Sequence, residues 1–282
     1  MTTTKALLQT LSLERTDGLA EALEATRRAL DRAYKAGLTR WVVMYSGGKD
    51  STTLLVNVLE WHKANPGALD QLHVIYADTQ VEIPTLRAFA ARFLQQVRDR
   101  FPEVNVHEVH PGPEKSFWVL LIGKGYPPPH QRFRWCTSKL KIQPAEKVIR
   151  QVAQVGPTAV LTGVRLRESD VRDRRLLLSC NRGGECGQGI WLEESARLGV
   201  TYLAPIASWR ECLVWDFLNY EAPSLGYPTM ALEDVYQGAE TRFGCWVCTV
   251  VRQDRAMQKI TATPTGARWL PLLGFREWLL TV

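Results

Sequence analysis

Trp41-Val42-Val43-Met44-Tyr45-Ser46-Gly47-Gly48-Lys49-Asp50-Ser51 passes from an apolar run to a polar turn within a few residues. The first five side chains are bulky, aromatic or β-branched and predict a buried strand. Two glycines then allow a sharp turn and a close backbone approach to a ligand. From Thr52 to Trp61 the apolar residues Leu54, Leu55, Val58 and Leu59 fall at helical spacing. Ser46 to Ser51 therefore lies between a strand and a helix N-terminus, where unpaired N–H groups and the positive end of the helix dipole favour an anion. Lys49 adds a full charge, and the Ser46 and Ser51 hydroxyls add donors. The spacing is not that of the phosphate loop with Gly-x4-Gly-Lys-Ser/Thr. An ordinary glycine turn with a surface lysine is the plain alternative, and the strand–turn–helix context weighs against it.

The chain of 282 residues is long enough for one large α/β domain with an appendage, and 45% hydrophobic content supplies an ordinary core. No apolar run reaches membrane length and no secretory leader is evident, so the expected place is the cytoplasm, with no membrane partner. A net charge of +6 and a pI near 9.0 give a mild bias toward an anionic partner. Residues 1–37 read as a helical arm in which Thr16-Asp17 can cap a helix carrying Leu19, Leu23, Ala25 and Leu30. Residues 38–205 read as the nucleotide domain and 206–282 as a cysteine-bearing C-terminal region.

Within the central domain, 72–77 predicts a second strand ending at Asp78-Thr79. A carboxylate there can face the crevice beyond the strand ends and bind Mg²⁺ or a ribose hydroxyl; capping the helix after Pro84 is the equal alternative. Residues 104–109 predict a third strand. Val160-Leu161-Thr162 predicts another, running into Gly163-Val164-Arg165. Strands alternating with helices predict a doubly wound parallel sheet. Residues 111–135, with the run Pro127-Pro128-Pro129, read as a substrate-facing loop or lid. The segment 166–200 is charged and glycine-rich, and its arginines, with Arg132, Arg134, Lys139 and Lys141, are the candidate contacts to nucleic acid.

Six cysteines in a chain of cytosolic character argue against disulfides. Cys245-x-x-Cys248 brings two thiolates within reach of one metal centre, and Cys136 stands among Arg134, Trp135, Lys139 and Lys141. Soft thiolates select zinc or an iron–sulfur cluster; a redox pair is the third option. Cys180 and Cys186 lie in a glycine-rich segment. Cys212, beside Leu213 and Trp215, reads as a core cysteine. A structural zinc site that recruits His130 stays open on ligand chemistry alone.

Ser46-Gly47-Gly48-Lys49-Asp50-Ser51 resembles the pyrophosphate loop of the ATP pyrophosphatase superfamily, whose members split ATP between its α and β phosphates and adenylate an oxygen. Further blocks extend the likeness. They are Arg134-Trp135-Cys136-Thr137, Lys139-Leu140-Lys141-Ile142-Gln143-Pro144, Gly163-Val164-Arg165 with Glu168-Ser169, and Arg242-Phe243-Gly244-Cys245-Trp246-Val247-Cys248-Thr249. Together, over 41–257, they are similar to the DNA phosphorothioation sulfurtransferases (DndC and the shorter SspD type), relatives of the phosphoadenosine phosphosulfate (PAPS) reductases.

The resemblance implies an adenine nucleotide alpha hydrolase-like fold and sulfur insertion into the DNA backbone as part of a restriction-modification defence. It implies ATP with Mg²⁺ on Tyr45, Ser46, Gly47, Gly48, Lys49, Asp50, Ser51, Asp78, Thr79 and Gly163, with Lys49, Asp50 and Arg165 catalytic. It implies a 4Fe–4S cluster on Cys136, Cys245 and Cys248, and as partners DNA, a cysteine desulfurase and other phosphorothioation proteins. Longer members carry one more cysteine just before the Arg-Phe-Gly-Cys block. Here Gln237 to Thr241 has none, so Cys186 is the expected fourth ligand, with Cys180 or an open iron as the alternatives. The rival readings are a PAPS reductase, disfavoured because no cysteine follows Cys248, a tRNA thiolase, and a non-catalytic nucleic-acid-binding subunit with structural zinc.

Overall fold

The computed structural model describes residues 18–165, 193–236 and 244–281. The first strand, β1 (Arg40–Tyr45), is the central one, with Trp41, Val42 and Val43 fully enclosed. It pairs in parallel with β2 (Gln71–Ala77) on one side, from Arg40 opposite Gln71 to Tyr45 opposite Tyr76. On the other side it pairs in parallel with β4 (Thr158–Leu161), from Arg40 opposite Thr158 to Val43 opposite Leu161. β3 (Asn105–Val109) extends the sheet beyond β2, and β6 (Val200–Leu203) extends it beyond β4. A short antiparallel edge, β5 (Glu193–Ser195), pairs with β6, giving the order β3-β2-β1-β4-β6-β5. Connections therefore run one way from β1 to β2 and the other way to β4. A crevice opens at such a switch point, beyond the C-terminal strand ends.

Both faces of the sheet are covered, as the uniformly apolar strands require. Trp41, Val43 and Tyr45 face α1 (Leu19–Lys35), α2 (Lys49–Ala64) and α3 (Pro84–Arg100), with Leu54, Leu55, Phe89 and Phe93 in the same core. Val42, Ile75 and Val160 face α4 (Gln143–Val155) through Ala145, Ile149 and Val152. The expected doubly wound sheet is thus present. The described part of the N-terminal arm is a helix packed on this domain, pinned by Trp61 Nε1–H donating to Asp31 Oδ1 at 2.7 Å and Trp209 Nε1–H to Thr26 Oγ1 at 2.9 Å. Its expected cap at Thr16-Asp17 lies outside the described residues.

The rest of the chain departs from expectation in detail. The loop at 111–135 carries a 3-10 turn (Pro113–Lys115) and a π turn (Val119–Gly123). Its aromatic side chains Phe117 and Trp135 fill a third, smaller core with Val81, Leu140, Val247 and Leu279. The helix expected at 211–220 is α5 (Glu211–Asp216), running on through a π turn (Phe217–Glu221). Cys212 is exposed, which corrects its reading as a core residue. The buried stripe of this helix is Leu213, Val214, Phe217 and Leu218, and Cys212 falls outside it. Further on lie α6 (Ala231–Tyr236), α7 (Arg255–Thr261) and α8 (Leu270–Leu279). No helix among the described residues is long and apolar enough to cross a membrane.

A polar pair sits at the β2–β3 edge. His73 Nδ1 and His107 Nε2 are 3.0 Å apart with stacked rings, and His73 Nε2 lies 3.3 Å from Gln71 Oε1. Burial, then the charge of His107, lowers the His73 pKa to about 4; burial also lowers that of His107. The unfolded chain therefore binds more protons than the folded one as pH falls from about 6.5 toward about 4. Stability present above pH 6.5 is lost across that window. Melting temperatures between pH 7 and pH 4.5 should fall more gently for His73→Gln than for the wild type, and parallel slopes would refute the assignment.

Candidate nucleotide site and cysteine centre

The crevice at the switch point is built from the β1–α2 turn. Gly47 has φ +77° and its α-carbon packs so closely on α3 that a Cβ would stand 2.8 Å from Ala90 Cβ. Only glycine meets both demands. Ser51 is buried and braces the turn: its Oγ donates to Gly48 O at 3.0 Å and accepts from Ser46 N at 3.1 Å. Ser46 Oγ lies 3.0 Å from Ser51 Oγ, and Ser46 is exposed at the mouth. The N-cap of α2 is Gly48, which has no side chain to cap the helix. Its first amide, Lys49 N–H, donates to the Tyr236 hydroxyl at 3.2 Å. The N-terminal end of α2 thus faces the crevice with one amide on the neutral Tyr236 hydroxyl and no cap from its own N-cap residue.

Charged groups ring this turn. Lys49 Nζ lies 3.2 Å from Asp50 Oδ2 and 3.5 Å from Glu211 Oε1. Arg165, buried at the end of β4, donates from Nε to Asp50 Oδ1 at 2.5 Å and from Nη1 to Trp209 O at 3.4 Å, with Nη2 3.9 Å from Glu211 Oε2. Gly163 lets the β4 end close on the turn, since a Cβ there would stand 3.0 Å from Asp50 C, Asp50 O and Ser51 N. Burial raises the pKa of the Tyr236 phenol, so it stays protonated.

Of the expected nucleotide residues, Ser46, Gly47, Gly48, Lys49, Asp50, Ser51, Gly163 and Arg165 come together here. Tyr45 does not face the crevice: it lies in the core, with rings 6.1 Å from Tyr76 and 5.8 Å from Phe93. Asp78 closes its own turn. Its Oδ1 accepts from Gln80 N at 2.8 Å and its Oδ2 from Arg87 Nε at 3.1 Å. Both oxygens of Asp50 and of Asp78 are engaged by protein donors, so neither is a ready ligand for Mg²⁺. Thr79 belongs to the second centre.

That centre begins where β2 ends. Cys245 pairs with Glu82 in an antiparallel bridge, supported by Trp246 N–H to Val81 O at 3.0 Å and Ile83 N–H to Gly244 O at 3.4 Å. Glu82 is buried and binds Lys141 Nζ at 2.9 Å and Thr79 Oγ1 at 3.0 Å; Thr79 Oγ1 lies 3.4 Å from Cys245 Sγ. Cys136 precedes the π turn Thr137–Ile142 that carries Lys141. The three expected thiols are electrostatic neighbours. Burial, then Cys248, raises the Cys136 pKa; burial, then Glu82, pushes Cys245 up to about 12, with Cys136 adding a smaller push. The donor set suits a soft metal in kind. Among the described residues no three or more His, Cys, Asp or Glu side chains form a group able to hold a single metal ion. Cys186 and Cys180 lie outside the described residues.

Four functional candidates escaped the sequence. Glu211 and Tyr236 carry no signal, since an acidic first turn and a buried tyrosine are ordinary in any helix. Glu82 is likewise unremarkable until the chain folds. Arg276 could have been found: it is an arginine within the apolar helix Leu270–Leu279. It is fully buried, donates from Nε to Cys248 O at 2.9 Å and from Nη2 to Val251 O.

A helix N-terminus and two cations at the switch point of a parallel sheet make an anion-favouring site on an α/β fold. The sequence profile of the phosphoadenosine phosphosulfate reductase domain matches residues 40–251. The chain belongs to that family. No curated protein matches it. A solved PAPS reductase from Candida auris, in a phosphate complex, is similar in fold, with a TM-score of 0.53 at 16% identity over 88% of this chain and 96% of that one. More distant likenesses are an NAD⁺ synthetase from Burkholderia pseudomallei (TM-score 0.45, 16% identity, 86% and 93% covered) and yeast FAD synthetase with FAD (TM-score 0.42, 15% identity, 76% and 63% covered).

Because Arg276 holds the carbonyls of the Cys248–Val251 turn, Arg276→Leu should leave them unpaired and cost roughly 1–3 kcal/mol. Chemical denaturation measures this, and an unchanged midpoint would show that the turn holds itself.

Proposed function

We propose that the chain is an ATP pyrophosphatase-type sulfurtransferase acting on DNA. The observation that carries this reading is the placing of two centres on adjacent strand ends. An anion site with Lys49 and Arg165 follows β1, and a thiol-lined site with Cys245 follows β2. Activation and sulfur delivery need such adjacency. ATP would place its phosphates on Ser46 to Ser51, with Mg²⁺ arriving on those phosphates. A non-bridging oxygen of a DNA backbone phosphate would attack the α-phosphorus and release pyrophosphate. Lys49 and Arg165 offset the charge that develops there. Persulfide sulfur from a cysteine desulfurase, reduced by two electrons to sulfide by a dithiol reductant that becomes a disulfide, would then attack the activated DNA phosphorus. AMP leaves with the displaced oxygen, so oxygen is exchanged for sulfur with no change in charge on the phosphate. Cys136, Cys245 and Cys248 would hold a 4Fe–4S cluster, either with Cys186 or Cys180 as fourth ligand or with one iron left open, and an open iron would supply a binding site for the sulfur.

The family match favours a second reading, reduction of a sulfonucleotide. Products separate the two: AMP and pyrophosphate from ATP on one side, sulfite from PAPS without ATP on the other. Lys49→Ala should lower pyrophosphate release by roughly 10²–10³, the usual loss of one preorganised charge-stabilising group, while keeping the melting temperature. ADP and phosphate as products would overturn the assignment. Protein prepared without oxygen should be brown and contain iron and acid-labile sulfide, with single Cys-to-Ser changes at 136, 245 and 248 bleaching it. A colourless chain with one zinc would discard the cluster.

A further inference from the structure

Glu211 opens α5 and is exposed, yet its two carboxylate oxygens are divided between the two cations of the crevice: Oε1 3.5 Å from Lys49 Nζ and Oε2 3.9 Å from Arg165 Nη2. Asp50 already holds the same two cations more tightly, at 3.2 and 2.5 Å. Among the described residues, two cations therefore face two carboxylates, and these four side chains carry no net formal charge. A polyphosphate entering such a site meets only the helix dipole unless one carboxylate withdraws. Asp50 is poorly suited to withdraw, because the buried Arg165 would lose its partner. Glu211 is suited, because its contacts are long, it is half exposed, and water can receive it.

We propose that Glu211 is an internal stand-in for phosphate. Its carboxylate satisfies Lys49 and Arg165 in the empty site, and the incoming phosphates displace it. This rests on the nucleotide reading of the β1–α2 turn and adds the residue that sets the affinity of the site. The carboxylate competes with ligand through its charge and not its shape, so removing the charge strengthens binding whatever neutral residue replaces it. Exposed ion pairs of this length are worth about 0.2–1 kcal/mol each, which for two contacts corresponds to a gain of roughly 2- to 30-fold. The gain is electrostatic and solvent-exposed, so salt diminishes it.

The test is calorimetric titration of the full chain with inorganic pyrophosphate and with ATP, in EDTA so that no divalent cation screens the site. Wild type is compared with Glu211→Gln, Glu211→Ala and Lys49→Ala. Both Glu211 variants are expected to bind each ligand more tightly than wild type at low salt, with the advantage shrinking at high salt. Binding that appears only in the Glu211 variants supports the inference equally. Equal or weaker binding by both, with Lys49→Ala still abolishing it, overturns the role of Glu211 and leaves the nucleotide reading intact. Binding unaffected by Lys49→Ala puts the anion elsewhere and overturns both.

Discussion

Arg165 is a nearly inaccessible cation, and the Asp50 carboxylate 2.5 Å away is what makes its burial tolerable. An unpaired charge at that depth costs several kcal/mol. The pair joins the end of β4 to the first turn of α2, so it fixes the distance between the two walls of the crevice. Gly163 makes the approach possible by leaving out the one carbon that would collide with the Asp50–Ser51 backbone. The switch point is thus closed by a charge pair and a missing side chain. Apolar packing alone cannot specify such a geometry, because it is non-directional.

The second centre borrows the same support. β2 lies beside β1 in register, so the segment after Ala77 starts level with the glycine turn after Tyr45. That segment turns at Gln80, whose φ of +64° is held by the Asp78 bond to its amide. It then runs antiparallel to Gly244–Trp246 through the Glu82–Cys245 bridge. Asp78 thereby shapes the turn on which the Cys245 strand is hung. Glu82 then meets Lys141 from the π turn after Cys136. One ion pair therefore ties the Cys136 block to the Cys245–Cys248 block, which are more than a hundred positions apart in sequence.

What was legible in the sequence follows from what leaves a local signature. β1, β2 and the β1–α2 turn were readable because apolar runs and paired glycines are local statements about burial and backbone. β5 was not, since Glu193-Glu194-Ser195 has no apolar alternation and is a strand only because β6 offers it an edge. The grouping of Ser46, Lys49, Asp50, Gly163 and Arg165 was readable from the rule that strand ends gather at one crevice. The roles of Tyr45 and Asp78 were not. Whether the last residue of a strand points into the core or the crevice depends on the two-residue alternation, and Tyr45 falls on the Trp41 and Val43 side. Asp78 is paired with Arg87, a partner that proximity in sequence does not announce.

Charge was the least readable property. The surplus of +6 suggested an anionic partner, yet at the crevice Lys49 and Arg165 are matched by Asp50 and Glu211. Among the described residues, these four side chains at the crevice contribute nothing to that surplus. Of the four basic residues singled out around Cys136, Lys141 is spent internally on Glu82, whereas Arg132 stands exposed. A basic count measures what a surface can attract only after internal pairs are subtracted, and here the subtraction falls on the site that an anion must enter. An anion site that is neutral when empty binds by exchange: the ligand replaces a carboxylate already present, and the affinity measured is the difference between the two.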